Sequence, residues 1–127
     1  MSILLNIQIF LWYISGDSRL PKLVLNAIRA PENTIYLSVI TIWEAVTKYQ
    51  LGKLPLPHPP HVYLPEQRRL HQIASLDVDE GSVAQLGKLP SLHRNPFDRL
   101  LMCQAIEHQL TFATADKVLM LYPVKLL

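Results

Sequence analysis

The sequence contains a single cysteine, Cys103, and no long uninterrupted hydrophobic run. One cysteine excludes an intrachain disulfide and a thiolate metal cluster, and the apolar helical neighbours of Cys103 predict a buried thiol rather than a nucleophile. The apolar stretch Ile3–Ile14 is interrupted by Asn6 and Gln8 and is shorter than the roughly 20 residues that span a bilayer. A secretory signal has a Lys or Arg before its apolar run, and none precedes this one. These absences predict a cytoplasmic protein with no membrane partner.

The chain also lacks a run of like charges. Twelve Lys and Arg residues against ten Asp and Glu residues give a net charge of +2, which is compatible with a nucleic-acid partner but does not by itself indicate one. The 127 residues are 50% hydrophobic, enough for a real core in one domain. We therefore expect a single domain over residues 1–127.

Short runs of strand formers alternate with segments whose apolar residues recur at helical spacing. The predicted strands cover residues 3–5, 34–37, 75–78, 110–113 and 124–126. This alternation predicts an α/β fold, with a central, mostly parallel sheet of about five short strands flanked by helices. Five prolines between positions 55 and 65 exclude a helix there and favour an extended connection. Trp43 lies on the apolar stripe of its helix, so we expect it in the core.

The clearest helix start lies at residues 95–98. Asn95 can cap the first free N–H groups, Pro96 occupies a position where a missing N–H costs nothing, and Asp98 falls in the first turn. The positive end of the helix keeps a carboxylate ionised and also attracts phosphate. The same pattern also describes an ordinary capping box with Asp in place of Glu.

Polar residues follow several of the predicted strands, and ligands of parallel sheets bind beyond the carboxyl ends of the strands. Asn6 ends the first strand, Glu44 lies one turn into the helix after the second, and Asp116 follows the fourth; Asp98 can face the same crevice. Three carboxylates there repel one another unless a cation lies between them, and oxygen ligands favour Mg²⁺ or Mn²⁺ over zinc. The structural alternatives are a Glu44–Lys48 ion pair and a helix-dipole role for Asp116.

Four segments together resemble the signature segments of PIN domains, in particular VapC-type toxins, the ribonuclease halves of bacterial toxin–antitoxin pairs. These segments are Ile3–Asn6, Leu37–Glu44, His93–Leu101 and Thr114–Lys117. The resemblance covers essentially the whole chain and keeps the order and spacing of the four motifs.

The resemblance implies a three-layer PIN-like fold and a metal-dependent endoribonuclease, with Mg²⁺ or Mn²⁺ activating water for attack on RNA. Carried over by position, Glu44, Asp98 and Asp116 are the catalytic acids and metal ligands, with Thr114 orienting water. Charge and location suggest Arg94 and Arg99 as RNA phosphate contacts. The implied partners are an RNA substrate, a cognate antitoxin and a second copy of the chain. The apolar surface for the antitoxin is expected at Trp12, Tyr13, Tyr49 or the proline-rich connection.

The sequence departs from the PIN pattern after its first strand, where the family usually has Asp-Thr-His and this chain has Asn6-Ile7-Gln8. Asn6 can still offer a carbonyl oxygen to the metal, but it supplies no charge. Weaker metal binding and slower chemistry are expected. Two hypotheses remain: an active or attenuated endoribonuclease toxin, and a catalytically inactive PIN-fold binding module that retains the dimer and the contacts with the antitoxin or RNA. A phosphate-handling receiver or hydrolase is less well supported, because its nucleophilic Asp is expected where Asn6 stands.

Overall fold

The structure, a computed structural model, describes residues 1–91 and 95–127 and contains a parallel sheet. The strands are β1 (Ser2–Leu5), β2 (Thr34–Ser38), β3 (Ala74–Leu76) and β4 (Thr111–Ala113). They lie in the order β3-β2-β1-β4, and each neighbouring pair is parallel. The predicted α/β class is confirmed, with four strands in the described residues rather than about five.

The predicted fifth strand at residues 124–126 is reduced to a single bridge between Leu126 and Phe112. The N–H of Phe112 donates to the carbonyl oxygen of Lys125 at 2.7 Å. The N–H of Leu127 donates to the carbonyl oxygen of Phe112 at 3.0 Å. Two hydrogen bonds hold this segment beside β4 without extending into a regular strand.

Helices cover the sheet on both faces. They are α1 (Ile7–Ser15), α2 (Lys22–Arg29), α3 (Val39–Gln50), α4 (Pro60–Leu70), α5 (Glu80–Ala84) and α6 (Pro96–Glu107), with short 3-10 helices at Gln85–Gly87 and Lys117–Leu121. Gly16 ends α1 with a φ of 66°, a left-handed conformation that glycine adopts without a steric penalty. Within residues 1–91 and 95–127, none of these helices is both long and apolar enough to cross a membrane.

The prediction that prolines exclude a helix from residues 55–65 is wrong for the second half of that segment. Helix α4 begins at Pro60 and contains Pro65. Pro60 occupies the first turn, where its missing N–H has no intrahelical partner to lose. Pro65 removes one hydrogen bond from the helix, but the neighbouring Leu64 is fully buried in the core. Burial of that face stabilises the helix despite the proline.

In the part of the chain that the structure describes, the core consists of two hydrophobic clusters, one on each side of the sheet. Ile3 and Leu5 of β1 belong to the cluster that also contains buried residues of α1, α2 and α4. Leu4, between them, points to the cluster that contains Cys103 and its neighbours in α6. All three β1 side chains have no exposed area, as alternation along a central strand requires. This arrangement confirms the three-layer fold.

Trp43 is the clearest error in the predicted core. Its side chain is 57% exposed and contacts the ring of Phe97 edge to face, with 4.9 Å between the ring centroids. The buried residues of α3 are Ile40, Thr41, Glu44 and Ala45. The inward face of this helix is therefore rotated away from Trp43 and includes a carboxylate, which an apolar stripe cannot reveal.

Candidate active site at the carboxyl edge of the sheet

The parallel register brings the ends of the strands to one edge. Leu5 of β1 lies opposite Leu37 of β2 and Ala113 of β4. The residues that follow these positions, Asn6, Ser38 and Thr114, therefore come together although they are far apart in sequence. This edge is where a parallel sheet offers a crevice for ligands.

Asn6 connects β1, α1 and β4. Its backbone N–H donates to the carbonyl oxygen of Ala113 at 3.0 Å. Its Oδ1 accepts from the N–H of Ile9 at 3.0 Å and so caps α1, while its Nδ2 donates to Thr114 Oγ1 at 2.9 Å. The amide is buried, and it turns its oxygen toward the helix and its NH₂ group toward Thr114.

Thr114 links Asn6 to Asp116. Its Oγ1 accepts a second hydrogen bond, from the N–H of Asp116, at 3.1 Å. Because a hydroxyl oxygen has two lone pairs, Thr114 can add only a donated hydrogen bond to a further group. Asp116 caps the 3-10 helix Lys117–Leu121, its Oδ1 accepting from the N–H of Val118 at 3.0 Å. Asp116 therefore stabilises the start of its own helix, which was the structural alternative to a metal-binding role.

Glu44 is a buried carboxylate with unequal surroundings for its two oxygens. The side chain is 2% exposed, and its Oε2 lies 2.8 Å from Nζ of Lys48, one turn along α3. Among the residues that the structure describes, Oε1 of Glu44 has no hydrogen-bond partner, and neither does the buried Oγ1 of Thr41. The ion pair foreseen as an alternative is therefore formed, but it satisfies only half of a carboxylate whose burial is costly.

The predicted start of α6 is confirmed. Asn95 Oδ1 accepts from the N–H of Phe97 at 2.9 Å and from that of Asp98 at 3.4 Å, and Pro96 is the first helical residue. Asp98 lies half-buried in the first turn. Arg99 Nη1 donates to the carbonyl oxygen of Pro90 at 2.8 Å, so this side chain is bonded to the backbone at Pro90. Arg94, the other predicted phosphate contact, lies outside the described residues.

A buried hydrogen-bond network behind this edge was not predicted from the sequence. Ser38 Oγ accepts from the N–H of Ile40 at 3.0 Å and donates to Gln104 Oε1 at 2.6 Å, while Gln104 Nε2 donates to the carbonyl oxygen of Asp77 at 3.1 Å. Ser38 and Gln104 have no exposed area. These hydrogen bonds fix α6 to β2 and to the segment after β3. The feature of the sequence that could have indicated them is a glutamine within the apolar face of α6.

The donor chemistry of the edge fits a hard cation, because carboxylate and amide oxygens are the ligands that Mg²⁺ and Mn²⁺ prefer. The unpartnered Oε1 of Glu44 is an atom that such a cation would satisfy. Within residues 1–91 and 95–127, no three His, Cys, Asp or Glu side chains are grouped closely enough to hold one ion. In this arrangement Lys48 supplies the positive charge beside Glu44.

A separate groove of about 460 Å³ lies beside α1. Its apolar walls include Trp12, Leu54, Leu56 and Tyr63. The guanidinium of Arg19 lies over the ring of Trp12, 5.3 Å from its centroid. The groove combines Trp12 with part of the proline-rich connection, two of the places where an apolar binding surface was expected.

Residues 3–123 match the PIN domain family. A stretch of 52 residues is 40% identical to Ribonuclease VapC16 of Mycobacterium tuberculosis, and this match covers 41% of the chain but only 37% of that relative's length. The solved VapBC2 structure from Rickettsia felis, bound to a promoter DNA fragment, is similar with a TM-score of 0.72 and 21% identity, over 99% of this chain and 96% of that one. VapBC-1 from nontypeable Haemophilus influenzae has a TM-score of 0.63 and 18% identity, over 91% and 87% of the two chains. At these identities the solved structures bear on the fold alone.

Proposed function

The chain belongs to the PIN domain family, and we propose that it is a Mg²⁺- or Mn²⁺-dependent endoribonuclease, the toxin of a toxin–antitoxin pair. The observation that carries the proposal is the buried carboxylate of Glu44 in α3, the helix that follows β2 at the carboxyl edge of the sheet, with an oxygen that lacks a partner among the described residues. A fold does not by itself specify an activity. A partly satisfied carboxylate at this position is what a metal-dependent hydrolase needs.

Glu44, Asp98 and Asp116 would hold the ion, and Asn6 would add an uncharged amide oxygen. When bound, Mg²⁺ or Mn²⁺ lowers the pKa of the attacking water and offsets the charge that develops on the RNA phosphate. The hydroxyl of Thr114 donates to that water and orients it, because both of its lone pairs are engaged by Asn6 and Asp116. Arg94 and Arg99 contact the RNA backbone.

Asn6 makes the proposed enzyme an attenuated one. The site has three carboxylates where the family pattern has four, so less negative charge attracts the ion. The orientation of the amide adds to this effect, because Oδ1 already accepts from the N–H of Ile9 and Nδ2 is turned toward Thr114. The same observation favours the second candidate, a PIN-fold binding module that has lost catalysis.

The proposed protein partners are a cognate antitoxin and a second copy of the chain. The solved structures of similar fold include one that is named as a toxin–antitoxin complex, from Klebsiella pneumoniae. The groove beside α1 offers the antitoxin an apolar surface that contains Trp12 and Leu56. Substituting Leu56 with Arg is expected to weaken co-purification with the antitoxin while leaving RNA cleavage by the isolated protein intact.

The decisive experiment is RNA cleavage by the purified protein in Mg²⁺ and in Mn²⁺, on one mixed RNA pool, beside Asn6→Asp and Asp98→Asn. Glu32→Gln, at an exposed acid in the α2–β2 connection, is the matched control. Cleavage by the parent that is lost in Asp98→Asn and kept in Glu32→Gln supports the ribonuclease. Cleavage by Asn6→Asp alone supports the binding module. Cleavage by none of the proteins contradicts the proposed activity.

A further inference from the structure

Lys48 and Glu44 form an ion pair whose two ends differ in exposure. The two residues are one turn apart on α3, with Nζ of Lys48 2.8 Å from Oε2 of Glu44. The Glu44 side chain is 2% exposed, whereas that of Lys48 is 41% exposed. The carboxylate is therefore held in place by the fold, while the ammonium group borders on solvent.

This difference determines which partner can leave. A lysine side chain has a flexible four-carbon stem and a strongly hydrated ammonium group, so it reaches water at little cost once another cation replaces it. Glu44 has no such freedom, because Ala45 beside it is fully buried and Thr41, one turn earlier, is buried too. A cation at the edge of the sheet meets a fixed carboxylate and a movable ammonium group.

The ammonium group also opposes an incoming cation directly. A divalent ion bound to either oxygen of Glu44 would lie near Nζ of Lys48, which is 2.8 Å from Oε2, and like charges at short separation repel strongly where burial lowers the effective dielectric constant. Lys48 must then either move away or weaken the ion's binding. Both outcomes lower the affinity of the site for the ion.

We propose that Lys48 is an internal counter-ion that competes with the divalent cation for Glu44 and thereby sets a low metal affinity. Lys48 is a positioning residue that neutralises the charge of Glu44 until an ion replaces the ammonium group. The proposal rests on the metal site of the proposed function. Asn6 strengthens the effect, because with one carboxylate fewer the site has less charge with which to displace Lys48.

The test is the dissociation constant of Mn²⁺, measured by titration calorimetry on Lys48→Met, Lys48→Gln, Lys48→Arg and the parent. Removing the positive charge is expected to tighten Mn²⁺ binding by about tenfold or more, and Lys48→Arg is expected to keep the parent's affinity. Lys53→Met, at an exposed lysine just beyond α3, is the control and should change nothing. Adding Glu44→Gln to Lys48→Met should abolish the gain.

Lys48→Gln guards against misfolding, because its amide can still donate to Glu44 without carrying a charge. Equal Mn²⁺ affinities for the parent and both uncharged variants would overturn the proposal, and RNA cleavage by those same proteins would leave the ribonuclease standing. Tighter binding without cleavage by any variant, Asn6→Asp included, would support the counter-ion and contradict the ribonuclease. No Mn²⁺ binding by any of these proteins would overturn both.

Discussion

The side-chain amide of Asn6 donates to the hydroxyl of Thr114 at 2.9 Å, a contact between residues 108 positions apart. It joins the end of β1 to the end of β4 at the edge where ligands of a parallel sheet bind. The direction of this hydrogen bond has a chemical consequence. A carboxylate at position 6 can only accept, so Thr114 would become the donor and the edge would gain a negative charge.

Asn6→Asp is therefore expected to preserve the fold and to strengthen the metal site. One carboxylate oxygen can still accept from the N–H of Ile9, as Asn and Asp cap helices equally well. The added charge should tighten Mn²⁺ binding by roughly tenfold or more and raise the rate of RNA cleavage. Titration calorimetry and a cleavage assay measure the two effects. Unchanged Mn²⁺ affinity would remove position 6 from the metal site.

Asn6→Ala tests the structural role of the same residue, because alanine lacks the hydrogen-bonding groups of the amide. It removes the cap of α1 and the bond to Thr114 together, and we expect a loss of about 1–3 kcal/mol in the free energy of unfolding. Urea denaturation of Asn6→Ala and Asn6→Asp separates the structural role of the residue from its charge. A loss as large in Asn6→Asp as in Asn6→Ala would argue against the capping role.

Gln104→Met is expected to destabilise the protein although it adds apolar character to the core. The substitution keeps the side-chain volume but leaves the hydroxyl of Ser38 and the carbonyl of Asp77 without the partner they have now. A buried group left unsatisfied costs about 1–3 kcal/mol. Ser38 is fully buried, whereas Asp77 is exposed and its carbonyl can bind water instead, so the free energy of unfolding should fall by roughly 1–3 kcal/mol. The control is Gln50→Met at the exposed end of α3, for which little change is expected in the same denaturation experiment.

Trp43→Ala is expected to cost little stability despite the size of the side chain. Because Trp43 is 57% exposed, its removal should lower the free energy of unfolding by about 1 kcal/mol or less. Phe10, which is fully buried, provides the contrast, with about 3–5 kcal/mol expected for Phe10→Ala. Similar losses for the two variants in thermal denaturation would show that Trp43 is buried in solution.

Cys103 is expected to resist thiol reagents in the native protein. The residue is fully buried, and burial raises the pKa of its thiol, with Arg99 opposing the change weakly. Because the folded pKa is above the unfolded one, this group's contribution to stability is retained at neutral pH and lost as pH rises through the alkaline range. Labelling with a thiol-reactive chromophore at pH 8 should be slow in buffer and fast in denaturant. Rapid labelling in buffer would contradict the burial.

Much of the architecture followed from local patterns. The alternation of apolar runs with helical periodicity predicted an α/β fold with a parallel sheet. The capping residue Asn95 and the following Pro96 predicted the start of α6 correctly. These features are readable because caps, turns and periodicity depend on neighbouring residues. The prolines of residues 55–65 do not exclude a helix, since Pro60 is a good first residue of one. Pro65 lies inside the same helix, so even an interior proline is tolerated where the burial of a neighbouring residue, here Leu64, stabilises the helix.

The candidate site was predictable in its residues but not in its contacts. The sequence alone determined which oxygen-bearing side chains follow the strands, because the order of elements places the ends of parallel strands at one edge. Only the tertiary structure decided that Glu44 is buried with one oxygen on Lys48, that Asn6 turns its NH₂ group to Thr114, that Gln104 supports Ser38, and that Trp43 faces outward. Those outcomes depend on the rotation of each helix against the sheet, and that rotation is set by packing between segments far apart in the chain.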